Sequence, residues 1–237
     1  MSQTRQISYN NKTIQIISRD QSDESVIDEF FVDKMYRSVE KIIPSVTNPI
    51  IDIGAHIGVF SLYARILNLS VQIIALEPHP DNMTLFQENM SLNNISNVQL
   101  LPYALTDTDE TTAKLFISEN THNHTTSPDH LTLKSFEQIS VPAITLEKLI
   151  QQNKIDKIGL LKLDIEGAEF TVLNNIQDTW NKIQSIVVEY HEVLDHNHAE
   201  LEQIMRENGF SVEHFPSKFE KRFGLLVGRN KRYKKIG

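Results

Sequence analysis

From Pro49 onward the chain alternates short apolar runs with longer stretches whose apolar residues keep helical spacing. The helical stretches are long enough to be crossovers, which parallel strands need. Because the apolar runs are nearly continuous, helices should cover both faces of the sheet. The pattern predicts an α/β fold with strands at residues 49–53, 71–76, 98–101, 159–163, 185–190, 210–215 and 223–227. No helix separates the last two, which predicts an antiparallel strand at or near the sheet edge.

Two regions depart from this alternation. Residues 1–47 are predicted to be an N-terminal extension, a hairpin followed by a helix over 22–43 that Pro44 ends. Residues 48–237 would form the main domain. Within it, residues 106–145 carry two predicted strands around a polar loop, and we interpret them as an insertion near the functional face.

Composition excludes several classes of function. The chain has no cysteine, so disulfides, thiol catalysis and thiolate zinc sites are ruled out. Its net charge of −8 disfavours nucleic acid as a partner. No apolar run approaches the ~20 residues that a membrane span needs. The polar start lacks a signal-peptide core, and a cytoplasmic protein is the default expectation.

The first strand of the main domain ends in a glycine turn, DIGAHIG, from Asp52 to Gly58. In an open parallel sheet, ligands bind beyond the carboxyl ends of the strands. Gly54 and Gly58 allow a tight turn and a close backbone approach to a ligand. His56 interrupts the GxGxxG spacing of dinucleotide sites, so the loop suits a cofactor without pyrophosphate. A plain strand-to-helix turn is the alternative.

The next two strand ends carry residues suited to an adenosine. Glu77 ends the second strand, where an acid accepts hydrogen bonds from the hydroxyls of an unphosphorylated ribose. Pro78 offers an apolar surface for an adenine ring. The third strand leads into Pro102–Leu105, which includes Ala104 and would border the adenine. A structural turn is the alternative for each single residue of this segment.

Acidic residues gather where the fourth strand ends, in KLDIEGAE. Asp164 and Glu166 share a side of the extended segment by the two-residue period of a strand. Such carboxylates bind an ammonium group, orient a substrate hydroxyl or hold a divalent cation. Alternatively, Glu166 and Glu169 stabilise the N-terminus of the next helix.

The fifth strand ends in Glu189 and His191, both candidate catalytic residues. Histidine is a reasonable general base because its ordinary pKa is about 6.5. A structural histidine is the alternative. Other histidines lie in polar loops with loose spacing, and we predict no metal site from them; these are His122, His124, His196 and His198.

Taken together, DIGAHIG, ALEPHP, QENMSLNN, PYAL and KLDIEGAEF make the chain resemble the FkbM family of class I methyltransferases over about residues 48–192. The segment before the fourth strand, VPAITLEKLI, also resembles the corresponding segment of that family. The resemblance implies a Rossmann-like fold whose seven-stranded, mostly parallel sheet has an antiparallel last strand. It implies S-adenosylmethionine (SAM) as cofactor and methyl donor. It also implies O-methylation of a small-molecule acceptor, such as a natural product, a sugar or a lipid-like molecule.

The resemblance also assigns roles to residues. The loop beside the methionine part of the cofactor would be formed by Asp52, Gly54 and Gly58. Glu77 would contact the ribose, and Ala104 would lie near the adenine. The reacting centre would lie near Asp164 and Glu166. His56 stands where the family often has a small polar residue, and would either reach the cofactor or cap the helix. As base for a hydroxyl acceptor we expect His191, or Asp164 through hydrogen bonding or a cation.

Walls of the acceptor pocket are expected from the polar loop 119–130 and from Phe30, Phe31 and Tyr36. Three alternatives remain at this point: a nicotinamide-dependent dehydrogenase, which lacks its glycine spacing here; a module that binds the cofactor without chemistry; and an N-methyltransferase. The sequence leaves open the acceptor, the base, any metal requirement and the oligomeric state.

Overall fold

A computed structural model describes residues 2–117, 124–126, 137–192, 196–218 and 222–233. In chain order the strands are β1 Gln3–Tyr9, β2 Lys12–Ser18, β3 Ile50–Ile53, β4 Ile73–Leu76, β5 Val98–Leu101, β6 Ala104–Leu105, β7 Thr112–Ile117, β8 Glu137–Ile144, β9 Leu160–Leu163, β10 Ser185–His191, β11 Phe210–Pro216 and β12 Phe223–Asn230. The helices are α1 Gln21–Phe31, α2 Val59–Leu67, α3 Pro80–Leu92, α4 Leu146–Gln152, α5 Glu169–Asn175 and α6 His198–Glu207.

The central sheet has seven strands in the order β11-β12-β10-β9-β3-β4-β5. β12 runs antiparallel to both of its neighbours, whereas β10, β9, β3, β4 and β5 pair in parallel. The predicted α/β fold, with its mostly parallel sheet and antiparallel last strand, is confirmed. β12 lies one position in from the edge, since β11 covers its outer side.

Helices cover both faces of this sheet, as the continuous apolar runs predicted. Successive residues of a strand point to opposite faces. In β3, Ile50 packs into the core on the face of α1 and α2, and Ile51 packs into the core on the face of α4 and α6. Because both residues are fully buried, the strand has no solvent-facing side.

The N-terminal segment packs into the first of these cores. Ile16 of β2 and Ile27 of α1 are fully buried there beside residues of α2. The helix predicted over 22–43 is wrong in its second half. α1 ends at Phe31, Lys34 has a positive φ of 55°, and two short 3-10 turns, at residues 35–39 and 43–45, follow. A left-handed residue cannot continue an α-helix, and this break turns Tyr36 into the core.

The segment interpreted as an insertion contains a second, three-stranded sheet in the order β6-β8-β7. β7 and β8 match its two predicted strands. Much of the polar loop 119–130 lies outside the described residues. The division of the chain at residue 47 stays a prediction. Within the described ranges, no helix combines the length and the apolar character that crossing a bilayer requires.

Candidate active site

A cavity of about 790 Å³ lies at the carboxyl ends of the parallel strands. Residues at the strand ends line it, in the order in which the strands lie in the sheet. Glu77 and Tyr103, after β4 and β5, line one half. Asp164 and His191, at β9 and β10, line the other. Gly54, after the central strand β3, lies between the two halves, which we call the β4–β5 half and the β9–β10 half.

The two glycines of the turn stand where the structure has no room for a side chain. Gly54 has a φ of +74°, and a Cβ added there would lie 1.8 Å from the carbonyl oxygen of Asp164. Gly58 has a φ of +90°, and a Cβ there would lie 2.8 Å from Met90 Cε, between α2 and α3. Gly54 lines the cavity, whereas Gly58 is absent from the lining and instead allows the two helices to pack.

Asp52 also lies outside the cavity lining, beneath the turn. It is fully buried, and its Oδ2 accepts a hydrogen bond from Ser61 Oγ at 2.7 Å. Lys162 Nζ approaches its Oδ1 at 3.5 Å. Asp52 therefore holds the turn in place from below.

Lys162 is a site residue that the sequence analysis missed. Its Nζ donates to Gly54 O at 2.7 Å and pairs with Asp164 Oδ2 at 3.1 Å. Burial lowers the pKa of Lys162, but the charges of Asp164 and Asp52 outweigh burial and raise it above its usual value. The signal was present in the sequence, since a lysine inside an apolar strand needs a buried partner.

Glu77 is held rigidly at the end of β4. Its Oε2 accepts from the backbone N–H of His56 at 2.8 Å, and its Oε1 accepts from the N–H of His79 at 2.9 Å and from Asn82 Nδ2 at 3.2 Å. Pro78 and Ala104 line the cavity beside it. The result is a fixed carboxylate next to an apolar surface.

His56 links the glycine turn to the N-terminal segment. It adopts a left-handed backbone with φ of 48°, and its Nε2 lies 3.0 Å from Asp23 Oδ1. Arg19 bonds both oxygens of Asp23 and also reaches Asn82 Oδ1 at 2.7 Å. Burial raises the pKa of Asp23, but Arg19 and His56 hold it well below its usual range. Nothing in the sequence pattern indicated this contact.

His191 lies between two glutamates. Its Nδ1 is 3.2 Å from Glu169 Oε1, and its Nε2 is 3.5 Å from Glu166 Oε2. Glu169 also accepts from the backbone N–H groups of Ile165 and Gly167. Burial lowers the pKa of His191, but the charges of Glu166 and Glu169 outweigh it and raise that pKa well above its usual value. The two glutamates therefore favour the protonated form of the imidazole.

Glu189 lies deeper in the β9–β10 half of the cavity. It is 6% exposed, and its Oε2 accepts a hydrogen bond from Tyr36 Oη at 2.7 Å. Burial, together with the charge of Asp164, raises the pKa of Glu189 to about 7. A carboxyl group with this pKa exchanges a proton near neutral pH.

Among the described residues, one group brings three metal-type ligands together: Asp164, Glu169 and His191, whose ligand atoms lie within 4.8 Å of one another. Lys162 and the backbone N–H groups already balance these carboxylates. The expectation of no metal stays a prediction. Of the loop histidines, His122 lies outside the described residues. The His124 ring lies tilted by 34° against the His79 ring, and His196 and His198 pair with Glu200 and Glu192, respectively.

The structure thus brings the predicted site residues to one cavity, apart from Asp52 and Gly58. Phe30 lines the cavity as expected. Phe31 and Tyr36 are absent from the lining; Tyr36 stacks on Phe30 with ring centroids 4.2 Å apart.

The sheet order and the strand-end residues define a class I methyltransferase. The N-terminal domain of human METTL16, solved in complex with S-adenosylhomocysteine (SAH), shares this fold with a TM-score of 0.51 and 13% identity, covering 83% of this chain and 68% of that one. The model of the methyltransferase FkbM domain matches residues 52–212. The chain belongs to the FkbM methyltransferase family.

Two relatives are similar over most of their length. "Methyltransferase 1" of Beauveria bassiana is 30% identical, covering 80% of this chain and 81% of the relative. The 31-O-demethyl-FK506 methyltransferase FkbM of Streptomyces tacrolimicus is 26% identical, covering 78% and 80%. The chain is therefore a methyltransferase, and its family implies SAM as the methyl donor.

Proposed function

We propose that the chain transfers the methyl group of SAM to a hydroxyl of a small-molecule acceptor. The observation that carries this proposal is Glu189, a buried carboxyl group with a pKa of about 7 in the same cavity as the fixed acid Glu77. A hydroxyl must lose its proton as it is methylated, so a group that accepts protons at neutral pH suits this nucleophile. The relative named for 31-O-demethyl-FK506 acts on such an oxygen.

On the donor side, the chain supplies shape and hydrogen-bond acceptors. Glu77 would accept hydrogen bonds from the two ribose hydroxyls, and Pro78 and Ala104 would cover the adenine. Gly54 and His56 would border the methionine part. Asp52 and Gly58, which lie behind the lining, would act by holding the turn.

Bound SAM would supply an activated methyl group, because the positive charge on its sulfur allows a neutral thioether to depart as the leaving group. The protein must then align the acceptor oxygen with the methyl carbon and exclude water. Lys162 fixes both sides of the place where the methyl group would be transferred, since it donates a hydrogen bond to Gly54 O and pairs with Asp164. We expect Asp164 to orient the acceptor from there.

Glu189 is the base in this proposal. His191 suits that role poorly because the carboxylates of Glu166 and Glu169 on either side of it favour its protonated form. Asp164 is engaged with Lys162. Glu189, by contrast, accepts a hydrogen bond from the neutral hydroxyl of Tyr36 and faces the cavity. His191 would instead keep Glu166 in position.

A direct test uses purified protein, SAM with an isotopically labelled methyl group, and a library of small hydroxyl compounds, small amines and RNA. We expect label on the oxygen of a small molecule, identified by mass spectrometry and NMR. Label on nitrogen or on RNA would contradict the proposed acceptor. The negative net charge and acidic cavity make RNA the least expected of these acceptors.

Replacing Glu77 tests the donor site. We expect Glu77→Ala to weaken SAM and SAH equally, by at least about 100-fold, because both contain the ribose and each of the two charge-assisted hydrogen bonds contributes about 1.5–3 kcal/mol. Isothermal titration calorimetry measures both affinities. Glu88→Gln, an exposed acid on α3, is the control. Unchanged affinities in Glu77→Ala would remove Glu77 from the ribose site.

A further inference from the structure

Glu29 brings a carboxyl group from α1 into the cavity. Its neighbours Ile27 and Phe30 are buried in the core, which fixes the helix against the main domain. In the portion of the chain that the structure describes, no hydrogen bond or ion pair engages the Glu29 carboxyl. Its position follows from a helix that lies outside the family-matched residues 52–212.

The other acids of the β9–β10 half each have an internal partner. Asp164 pairs with Lys162 at 3.1 Å, and Glu189 accepts from Tyr36 at 2.7 Å. Glu166 lies 3.5 Å from His191. Glu29 therefore adds a carboxyl group to a set of acids whose other members already have internal partners.

The charges that act on Glu29 come from the segment after β9 and from β10. Burial, and then the charges of Glu189, Asp164 and Glu166, raise the pKa of Glu29 to about 9, while His191 opposes them. The pKa of Tyr36 is raised by burial and by the charges of Glu189, Asp164 and Glu29. This half of the cavity thus has a negative potential that a bound cation would relieve.

The methyl donor SAM is the cation that the proposed reaction brings to this half of the cavity. The sulfur of SAM carries a positive charge, whereas the same sulfur atom is neutral in the thioether product, SAH. Gly54 and Asp164, where the two halves of the cavity meet, mark the expected position of the sulfur, and the charge of Asp164 acts directly on Glu29.

We propose that Glu29 makes the cavity prefer the cationic donor over its neutral thioether product, so that methyl transfer itself weakens the binding of the cofactor. This inference rests on the proposed function. In the reaction, the S–CH₃ bond breaks, its electron pair stays on sulfur, and an O–CH₃ bond forms. The hydroxyl proton passes to Glu189, and the sulfonium charge disappears.

Proton linkage follows from the same charges. In the empty cavity Glu29 is protonated at neutral pH, and a nearby cation favours its ionised form. Donor binding should therefore release a proton, and donor affinity should rise with pH up to about 9. The neutral thioether lacks the charge that drives this release.

Calorimetry without any acceptor tests the inference. The ligands are SAM, SAH and sinefungin, an analogue with an ammonium group in place of the S-methyl, measured at pH 8 in buffers of different ionisation enthalpy. We expect the wild type to bind SAM and sinefungin about tenfold more tightly than SAH, which at pH 8 corresponds to a fall of about two units in the pKa of Glu29 when the cation binds. In Glu29→Gln this preference should fall to about threefold or less, with less proton release.

Glu29→Asp keeps the charge and should restore most of the preference, which a purely structural role would not require. Glu88→Gln removes an exposed charge and should leave the ratio unchanged. Equal SAM-to-SAH ratios in wild type and Glu29→Gln would overturn the inference while leaving the proposed function intact. If the wild type binds neither SAM nor SAH, the proposed function fails as well.

Discussion

Gly54→Ala should abolish measurable donor binding. The added Cβ would lie 1.8 Å from the backbone oxygen of Asp164, and it would also have to adopt a φ of +74°. Neither β3 nor the turn after β9 can move away easily, because Lys162 bonds to both. We expect SAM affinity to fall by at least about 100-fold and the free energy of unfolding to fall by about 3 kcal/mol. Calorimetry and urea denaturation measure the two effects.

Gly209→Ala is the matched control. Gly209 has a φ of +89°, but no atom lies within 4 Å of a Cβ built there. It therefore isolates the cost of the left-handed backbone, about 1–2 kcal/mol, from the steric clash. We expect this variant to lose that stability and to bind SAM normally. If Gly54→Ala behaved like Gly209→Ala, the close approach of the two turns would not matter for binding.

Glu189→Gln should slow methyl transfer by about 10²–10⁴-fold, the usual contribution of a general base, while donor affinity changes little. A base acts when it is deprotonated. With a pKa of about 7 for Glu189, wild-type kcat/KM should therefore rise as pH increases through about 7 and then level off. The variant should lose this rise. Initial rates across pH 5.5–9 are the measurement, with an acceptor from the labelling screen.

Tyr36→Phe provides a second readout for Glu189. The hydrogen bond from Tyr36 Oη lowers the pKa of Glu189, so its removal should move the midpoint of the pH profile upward and leave most of the plateau rate. A rate that drops equally at all pH values would indicate a packing defect. An unshifted profile in Glu189→Gln would assign the proton transfer to another group.

Most of the fold could be predicted from the sequence because parallel strands buried on both faces leave a strong apolar signal. The strand ends could be predicted for the same reason. Because the glycine turn, Glu77 and the acids after β9 directly follow strands, these site residues could be predicted as well. The helix over 22–43 was wrong because the apolar spacing continues through Lys34, whereas the backbone changes hand there.

The contacts made by the N-terminal segment could not be predicted. Asp23 and Glu29 lie on a surface-type helix pattern, and only the packing of α1 on α2 brings them to His56 and to the acids of the cavity. Such contacts join residues far apart in the chain, so no local spacing encodes them. Lys162 differs, since its place in an apolar strand was itself a signal.

The position of β12 has a consequence for how this enzyme is made on the ribosome. β12 lies between β10 and β11, so the strand that carries Glu189 and His191 lacks one neighbour until residues 223–230 have emerged. The strands that carry the glycine turn and Glu77 are translated well before that point. A nascent chain paused before β12 would therefore expose an unpaired strand edge, the kind of surface that recruits chaperones or seeds aggregation.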